Sequence, residues 1–264
     1  MEYNAQNHTF VLCAYKTCAY LEECIQSLLK QTAPCRIIIA TSTPNDHIRA
    51  LAEKYSLPVF VNEGKSGIAG DWSFALACAE TELVTIAHQD DVYDEHYVER
   101  MLECMSSARN PVLFNCNYGE LKNGKRVYSD RLLRIKRVMC TPMHLFPQSK
   151  AMRRLTIAFG NPIICPGVTY LRSIMKDHPF ESEMKSNLDW EKWEELSKLD
   201  GSFVYTRDVL VWHRIHPDAE TSKIVNLNLR GGEDIEMFRK FWPEPFARFL
   251  TRVYSTGERT YKKL

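Results

Sequence analysis

Apolar and polar positions along the first 115 residues predict short strands separated by amphipathic helices. Five apolar runs occur, Phe10 to Ala14, Arg36 to Ala40, Pro58 to Val61, Leu83 to Ala87 and Pro111 to Asn115. They are too continuous for strands with one wet face and read as strands buried on both. Between the first two runs, Leu21, Cys24, Ile25, Leu28 and Leu29 recur at i, i+3, i+4, i+7 and i+8, one apolar stripe of a helix. Ile48, Leu51, Ala52 and Tyr55 form a second stripe, Ala69 to Ala79 a third helix, and Val98, Met101, Leu102 and Met105 a fourth. This alternation predicts the α/β class, a mostly parallel central sheet flanked by helices. Ligands of such sheets bind beyond the carboxyl ends of the strands.

The second half is less regular. Lys122 to Lys125, "KNGK", carries the Asn-Gly signal of a tight hairpin. Arg131 to Val138 is a basic amphipathic segment that reads as a solvated helix face. Asp189 to Leu199 reads as a helix with Trp193, Leu196 and Leu199 inward, and Ser202 to His216 is strand-like and ends in "HRIHPD". From Glu233 the chain mixes aromatic residues with Arg and Lys. No internal repeat is visible, and the pattern predicts one domain with a C-terminal extension.

Composition narrows the function. Lys and Arg number 34 against 33 Asp and Glu, which argues against a nucleic-acid partner. No apolar run approaches the roughly 20 residues of a membrane span, and the start "MEYNAQNHTF" lacks the pattern of a signal peptide. A soluble, cytoplasmic protein is the expectation. The nine cysteines lack paired CxxC spacing and several lie in apolar runs, as Cys13 and Cys78 do, so they read as small buried hydrophobes.

The candidate chemistry lies where the fourth apolar run stops, in "LVTIAHQDDVYDEHYV". Asp94 serves well as the cap of the following helix, which leaves Asp90 and Asp91 unexplained. Adjacent carboxylates at a strand's carboxyl end suit a hard divalent cation, Mg2+ or Mn2+, shared with a phosphate ligand. The preceding loop, with Gly64, Gly67 and Gly70, leads into a helix N-terminus, a natural place for an anion.

Taken in order, "AYKTCAYLEECIQSLLKQT" from Ala14, "NEGKSGIAGDWSFAL" from Asn62 and "TIAHQDDVYDEHYV" from Thr85 resemble the family 2 glycosyltransferases, whose fold is the A-type nucleotide-diphospho-sugar transferase fold. In the second half "ICPGVTYLRS", "NLDWEKW" and "HRIHPDAETS" are similar to that family's later elements and occur in its order. The resemblance implies a catalytic domain over 1–230, its nucleotide-binding half 1–115 and acceptor-binding half 116–230, followed by a helical extension over 231–264. It implies nucleotide contacts at Ala14, Tyr15, Glu22, Ser42, Gly67, Asp71, Gln89 and Asp90, and an acceptor and donor loop with Gly167, Trp190 and Arg214. Metal ligation falls to Asp90, assisted by Asp91 and His216, and the general base is Asp189. The cofactor implied is Mn2+ or Mg2+, the donor a nucleoside-diphosphate sugar, most simply a UDP-sugar, and the acceptor a carbohydrate or lipid-linked hydroxyl. The reaction that the resemblance implies is inverting transfer by a single displacement, in surface polysaccharide or glycoconjugate synthesis.

Two departures stand out. The acidic turn after the family's second strand is here "ATSTPND", with Thr41 or Ser42 in place of the acid, and His88 replaces the first aspartate of the metal motif. A non-catalytic nucleotide-sugar binder and a sugar nucleotidyltransferase are the alternatives, although "CAYKTCAY" has no glycine for a triphosphate loop. The aromatic and basic tail is a candidate for peripheral contact with the inner face of a membrane, with Pro243 and Pro245 interrupting any long helix. Pattern leaves the oligomeric state open.

Overall fold

The computed structural model describes residues 2–65, 67–217 and 230–258. Its first half follows the predicted alternation: β1 (His8–Cys13), α1 (Leu21–Leu29), β2 (Arg36–Thr41), α2 (Asp46–Lys54), β3 (Val59–Val61), α3 (Ile68–Cys78), β4 (Leu83–His88), the two-residue β5 (Val92–Tyr93) and α4 (Tyr97–Ser107). There follow β6 (Pro111–Lys122), β7 (Lys125–Val127), α5 (Arg131–Met139), α6 (Thr141–Leu145), α7 (Lys150–Ile157), β8 (Val168–Leu171), α8 (Arg172–Met175), α9 (Leu188–Leu196) and β9 (Ser202–Ile215). The helices α10 (Arg230–Arg239) and α11 (Glu244–Glu258) come last. Among the described residues no helix is long and apolar enough to cross a membrane.

The strands form one mixed sheet of order β3-β2-β1-β4-β8-β6-β9-β5, with β7 paired to the end of β6. β1, β2, β3 and β4 are parallel, and Cys13 lies in register with both Ala40 and His88, so their carboxyl ends share one edge. β8 enters antiparallel between β4 and β6. Side chains alternate across this sheet as a two-residue period requires. Phe10, Leu12, Ile37 and Ile39 pack under α1, α2 and α4, while Val11, Ile38, Val84 and Ile86 face α3, α9 and α10. Burial on both faces explains why these strands are mostly apolar, with His8, Thr9, Thr41 and Thr85 buried among them.

Two elements differ from the sequence expectation. β6 continues seven residues beyond the apolar run that marked it, and the amides of its buried asparagines bond to β9: Asn115 Nδ2 donates to the Val204 carbonyl at 3.1 Å and Asn117 Nδ2 to that of Arg207 at 3.0 Å. The segment around Gly167 is more than a loop, since a turn at Cys165–Gly167 runs directly into β8. The "KNGK" hairpin forms as expected, pairing Lys122 with Lys125. Asp94 caps a turn before α4 rather than the helix itself: its Oδ1 accepts the His96 N–H at 3.1 Å, and the helix begins at Tyr97.

Candidate active site

β4 is buried to Ala87, and the chain turns sharply after it, the Asp91 N–H bonding the His88 carbonyl at 3.2 Å. β5 then pairs with Val211 and Trp212 of β9, which brings the end of β9 over the turn. Three basic residues arrive there. His213 Nδ1 lies 3.0 Å from Asp91 Oδ1, which also accepts the Arg214 backbone N–H at 2.9 Å. His216 Nε2 lies 2.9 Å from Asp90 Oδ2, and Arg214 Nε donates to the Asp90 carbonyl at 2.8 Å. Arg214 continues to Glu23 Oε2 at 2.5 Å and packs 4.2 Å over the Tyr20 ring, whose edge meets His216. The adjacent carboxylates thus coexist because each has its own cationic or N–H partner.

Their surroundings set their charge. Burial alone would raise the Asp90 carboxyl, but the hydrogen bond from His216 and the nearby imidazoles of His88, His213 and His216 hold it below the usual range. For His213, burial opposes protonation, yet Asp91 and Asp90 raise it overall. His88 goes the other way: burial dominates over Asp91, Asp90 and Asp189 and favours the neutral ring. Its face stacks on Trp72 at 5.4 Å, and its Nε2 is buried without a hydrogen-bond partner among the described residues.

Neighbouring loops complete the edge. Gln89 clamps Tyr15 by its backbone, accepting its N–H at 2.9 Å and donating to its carbonyl at 3.0 Å, which ties the loop after β1, with Ala14, to the acidic turn. Ser42 Oγ donates to Asp71 Oδ2 at 3.0 Å and Asn62 Nδ2 to Asp71 Oδ1 at 2.8 Å. A carboxylate missing from the turn after β2 therefore reaches it from α3. Gly67 precedes that helix with φ of 106°, a conformation that side chains rarely adopt. On α9, Asp189 is half-buried; its Oδ2 accepts Asn161 Nδ2 at 2.8 Å and its Oδ1 the Trp190 N–H at 2.7 Å.

Several expected site residues are placed differently. Glu22 points to the outer side of α1, bonded to Lys54 Nζ at 2.6 Å and the Tyr55 hydroxyl at 2.7 Å; its neighbour Glu23 is the one that reaches Arg214. One residue is about 100° around a helix, and the two identical side chains part accordingly. Trp190 is fully buried, its Nε1 donating to the Ile157 carbonyl at 2.9 Å, so it anchors α9 in the core instead of lining a pocket. Gly167 is also buried, with room for no side chain: a Cβ there would lie 2.8 Å from Ile164 and 3.0 Å from Cys116. Asp91 is fully buried; its Oδ1 accepts from His213 and the Arg214 backbone, while its Oδ2 has no hydrogen-bond partner among the described residues. Glu23, Asn161 and His213 join these contacts although the sequence pattern did not mark them. Only His213 left a signal, as the first histidine of "HRIH".

The residues present fit a divalent ion with few protein ligands. Among the described residues no group of three His, Cys, Asp or Glu side chains is arranged to hold a metal. Asp90 Oδ2 and His216 Nε2, however, are 2.9 Å apart. Two neighbouring ligands of an octahedral ion, each at about 2.1 Å, are about 3.0 Å apart. A carboxylate and an imidazole at this spacing would hold such an ion and leave it open to phosphate and water, as Mg2+ and Mn2+ prefer.

The profile described as "Glycosyl transferase family 2" matches residues 9–178. Comparison of the sequence with curated proteins gives no match. Among solved structures, S. aureus TarS 1-349 in complex with UDP-GlcNAc aligns with a TM-score of 0.62 and 17% identity over 93% of this chain and 70% of that one. The mannosyltransferase PcManGT from Pyrobaculum calidifontis, in complex with GDP-Man and Mn2+, aligns with a TM-score of 0.65 and 14% identity over 96% and 70%. A longer TarS structure is covered over 42% of its length, with a TM-score of 0.59 and 15% identity over 93% of this chain. At these identities the structural likeness shows the fold, a curled α/β sheet with flanking helices.

Proposed function

Because the chain belongs to glycosyl transferase family 2, we propose that it moves a sugar from a nucleoside-diphosphate donor to a hydroxyl acceptor by a single displacement that inverts the anomeric centre. The observation that carries this reading is the junction of β4 and β9, where His216 lies 2.9 Å from Asp90. Asp90 and His216 would hold Mn2+ or Mg2+, and the ion, when bound, supplies positive charge to the diphosphate leaving group. Asp189 accepts the proton of the attacking hydroxyl; its charge acts on the His88 ring, as those of Asp91 and Asp90 do. Asn161 fixes the Asp189 carboxylate by donating to one oxygen. On the nucleotide side, the Gln89–Tyr15 clamp shapes the loop after β1, and Ser42 and Asp71 present polar groups for ribose or base.

The binding of UDP-GlcNAc by TarS and of GDP-Man by PcManGT supports a nucleotide-sugar donor of one of these kinds. The acceptor half is assigned to residues 116–230, and the extension 231–264 packs back on the domain through Met237 and Phe238 of α10; its residues 259–264 lie outside the described ones. On α11, Phe246, Phe249 and Val253 are 40%, 56% and 51% exposed on one helix face beside Arg248 and Arg252. That face supports peripheral contact with an anionic membrane carrying a lipid-linked acceptor. Surface glycoconjugate synthesis on the cytoplasmic side fits such a placement. Calorimetry with UDP and GDP in the presence of Mn2+, followed by hydrolysis assays with UDP-GlcNAc and GDP-mannose, tests the reading. Nucleotide binding with no turnover of any donor would instead favour a non-catalytic binder.

A further inference from the structure

The segment that leads into α9 is held from another helix. On α10, Glu233 Oε1 accepts the Lys185 N–H at 2.7 Å, and Oε2 accepts the N–H groups of Ser186 at 2.8 Å and Asn187 at 3.0 Å, together with the Ser186 hydroxyl. Next to it, Asp234 Oδ1 accepts Asn187 Nδ2 at 2.7 Å, with both residues fully buried. α9 needs this support, because Asn187 at its N-cap makes no side-chain capping bond. The N–H groups at a helix start favour a negative charge, and Glu233 supplies one. Burial would raise the Glu233 carboxyl, but the donors from Lys185, Ser186 and Asn187 hold it below its ordinary value.

Asp189 follows two residues after the clamped Asn187, and its second support also leads to the C-terminal helices. Asn161, which donates to Asp189, has its own N–H 3.4 Å from the Tyr254 hydroxyl of α11. Phe238 and Tyr254 pack around Trp190, with ring centroids 5.2 and 5.8 Å away. The backbone that carries Asp189 and the amide that orients it are thus both braced from α10 and α11.

We infer that Glu233 is a positioning residue for Asp189, and that the C-terminal helices are part of the site's framework. This inference rests on the base role proposed above for Asp189. Displacing a reacting group by about 1 Å can cost 10²-fold in rate without weakening substrate binding, so the effect belongs in kcat.

Two measurements on the full chain test it. Hydrogen exchange over residues 185–193 in Glu233→Gln and Glu233→Ala should lose protection by about tenfold or more while β1 and β4 keep theirs. In hydrolysis of UDP-GlcNAc and GDP-mannose with Mn2+, Glu233→Gln should lower kcat by about 10- to 100-fold with donor KM within about twofold. In an Asp189→Asn background the same substitution should cost almost nothing further. Unchanged exchange overturns the clamp, as does a kcat loss that persists in full on top of Asp189→Asn. An inactive Asp189→Asn beside a fully active Glu233→Gln refutes the clamp alone. Near-normal turnover by Asp189→Asn refutes the base role, and the exchange result then still decides whether Glu233 holds the segment.

Discussion

His216 Nε2 lies 2.9 Å from Asp90 Oδ2 although 126 residues separate them. The contact exists because β5 pairs with β9 immediately after the acidic turn, delivering Arg214 and His216 to the carboxyl ends of β1 and β4. If these two side chains hold one ion, removing either should cut Mn2+ affinity by at least about tenfold. Asp90→Asn should also lower kcat by about 10²–10³, as losing an electrostatic stabiliser of the leaving group does. Electron paramagnetic resonance of Mn2+ in the presence of UDP or GDP measures the first effect, and unaltered Mn2+ binding in both variants would remove the metal assignment.

Asp91, its neighbour, should fail differently. It is fully buried and accepts from both His213 and the Arg214 backbone. Asp91→Ala leaves those donors without their charge partner and should cost about 3–5 kcal/mol of stability. Thermal unfolding checks this, and a midpoint within about 2 °C of wild type would show that the pairing contributes little.

Much of this architecture was legible in the sequence. The apolar runs of β1 to β4 and the helical stripes between them announce themselves because those strands are buried on both faces. The acidic turn was legible too, along with the late His216. What failed was information that depends on tertiary partners. β6 runs on through Asn115 and Asn117, whose amides bond to carbonyls of another strand, which no local pattern encodes. Glu22 and Glu23 are identical in type and differ only in helical phase, and Trp190, which the resemblance puts in the acceptor and donor loop, is enclosed by Ile157, Phe238 and Tyr254. The Glu233 clamp joins residues 46 to 48 positions apart, so its purpose is invisible from either end alone.

Acid should destabilise the fold through His8. Its ring is fully buried, with Nε2 2.8 Å from Thr85 Oγ1 in a polar chain that continues to Thr169 and Tyr97. Burial pushes its pKa from 6.5 down to about 3. The unfolded chain therefore binds a proton below about pH 6.5 that the folded chain refuses until about pH 3, so stability falls as pH drops through that window and is unaffected above it. The loss should reach roughly 2 kcal/mol by pH 5. Denaturant unfolding of wild type and His8→Gln at pH 7 and 5 tests it: the variant should lose less on acidification, and equal losses would contradict the assignment.

Membrane contact through α11 makes a separate prediction. Phe249 is 56% exposed, so Phe249→Glu should leave thermal stability within about 0.5 kcal/mol of wild type. The same change should abolish flotation with vesicles containing anionic lipid. Equal flotation by both proteins, or no flotation by either, would end the membrane proposal.

The most direct test of the account compares wild type and Asp189→Asn across a panel of nucleotide sugars with Mn2+, with nucleotide affinity measured alongside by calorimetry. The account predicts metal-dependent turnover of at least one donor by wild type, a fall in kcat of about 10²–10⁴ in the variant, and an unchanged nucleotide Kd. Near-normal turnover by Asp189→Asn, or nucleotide binding by a wild-type protein that turns over no donor, would contradict it.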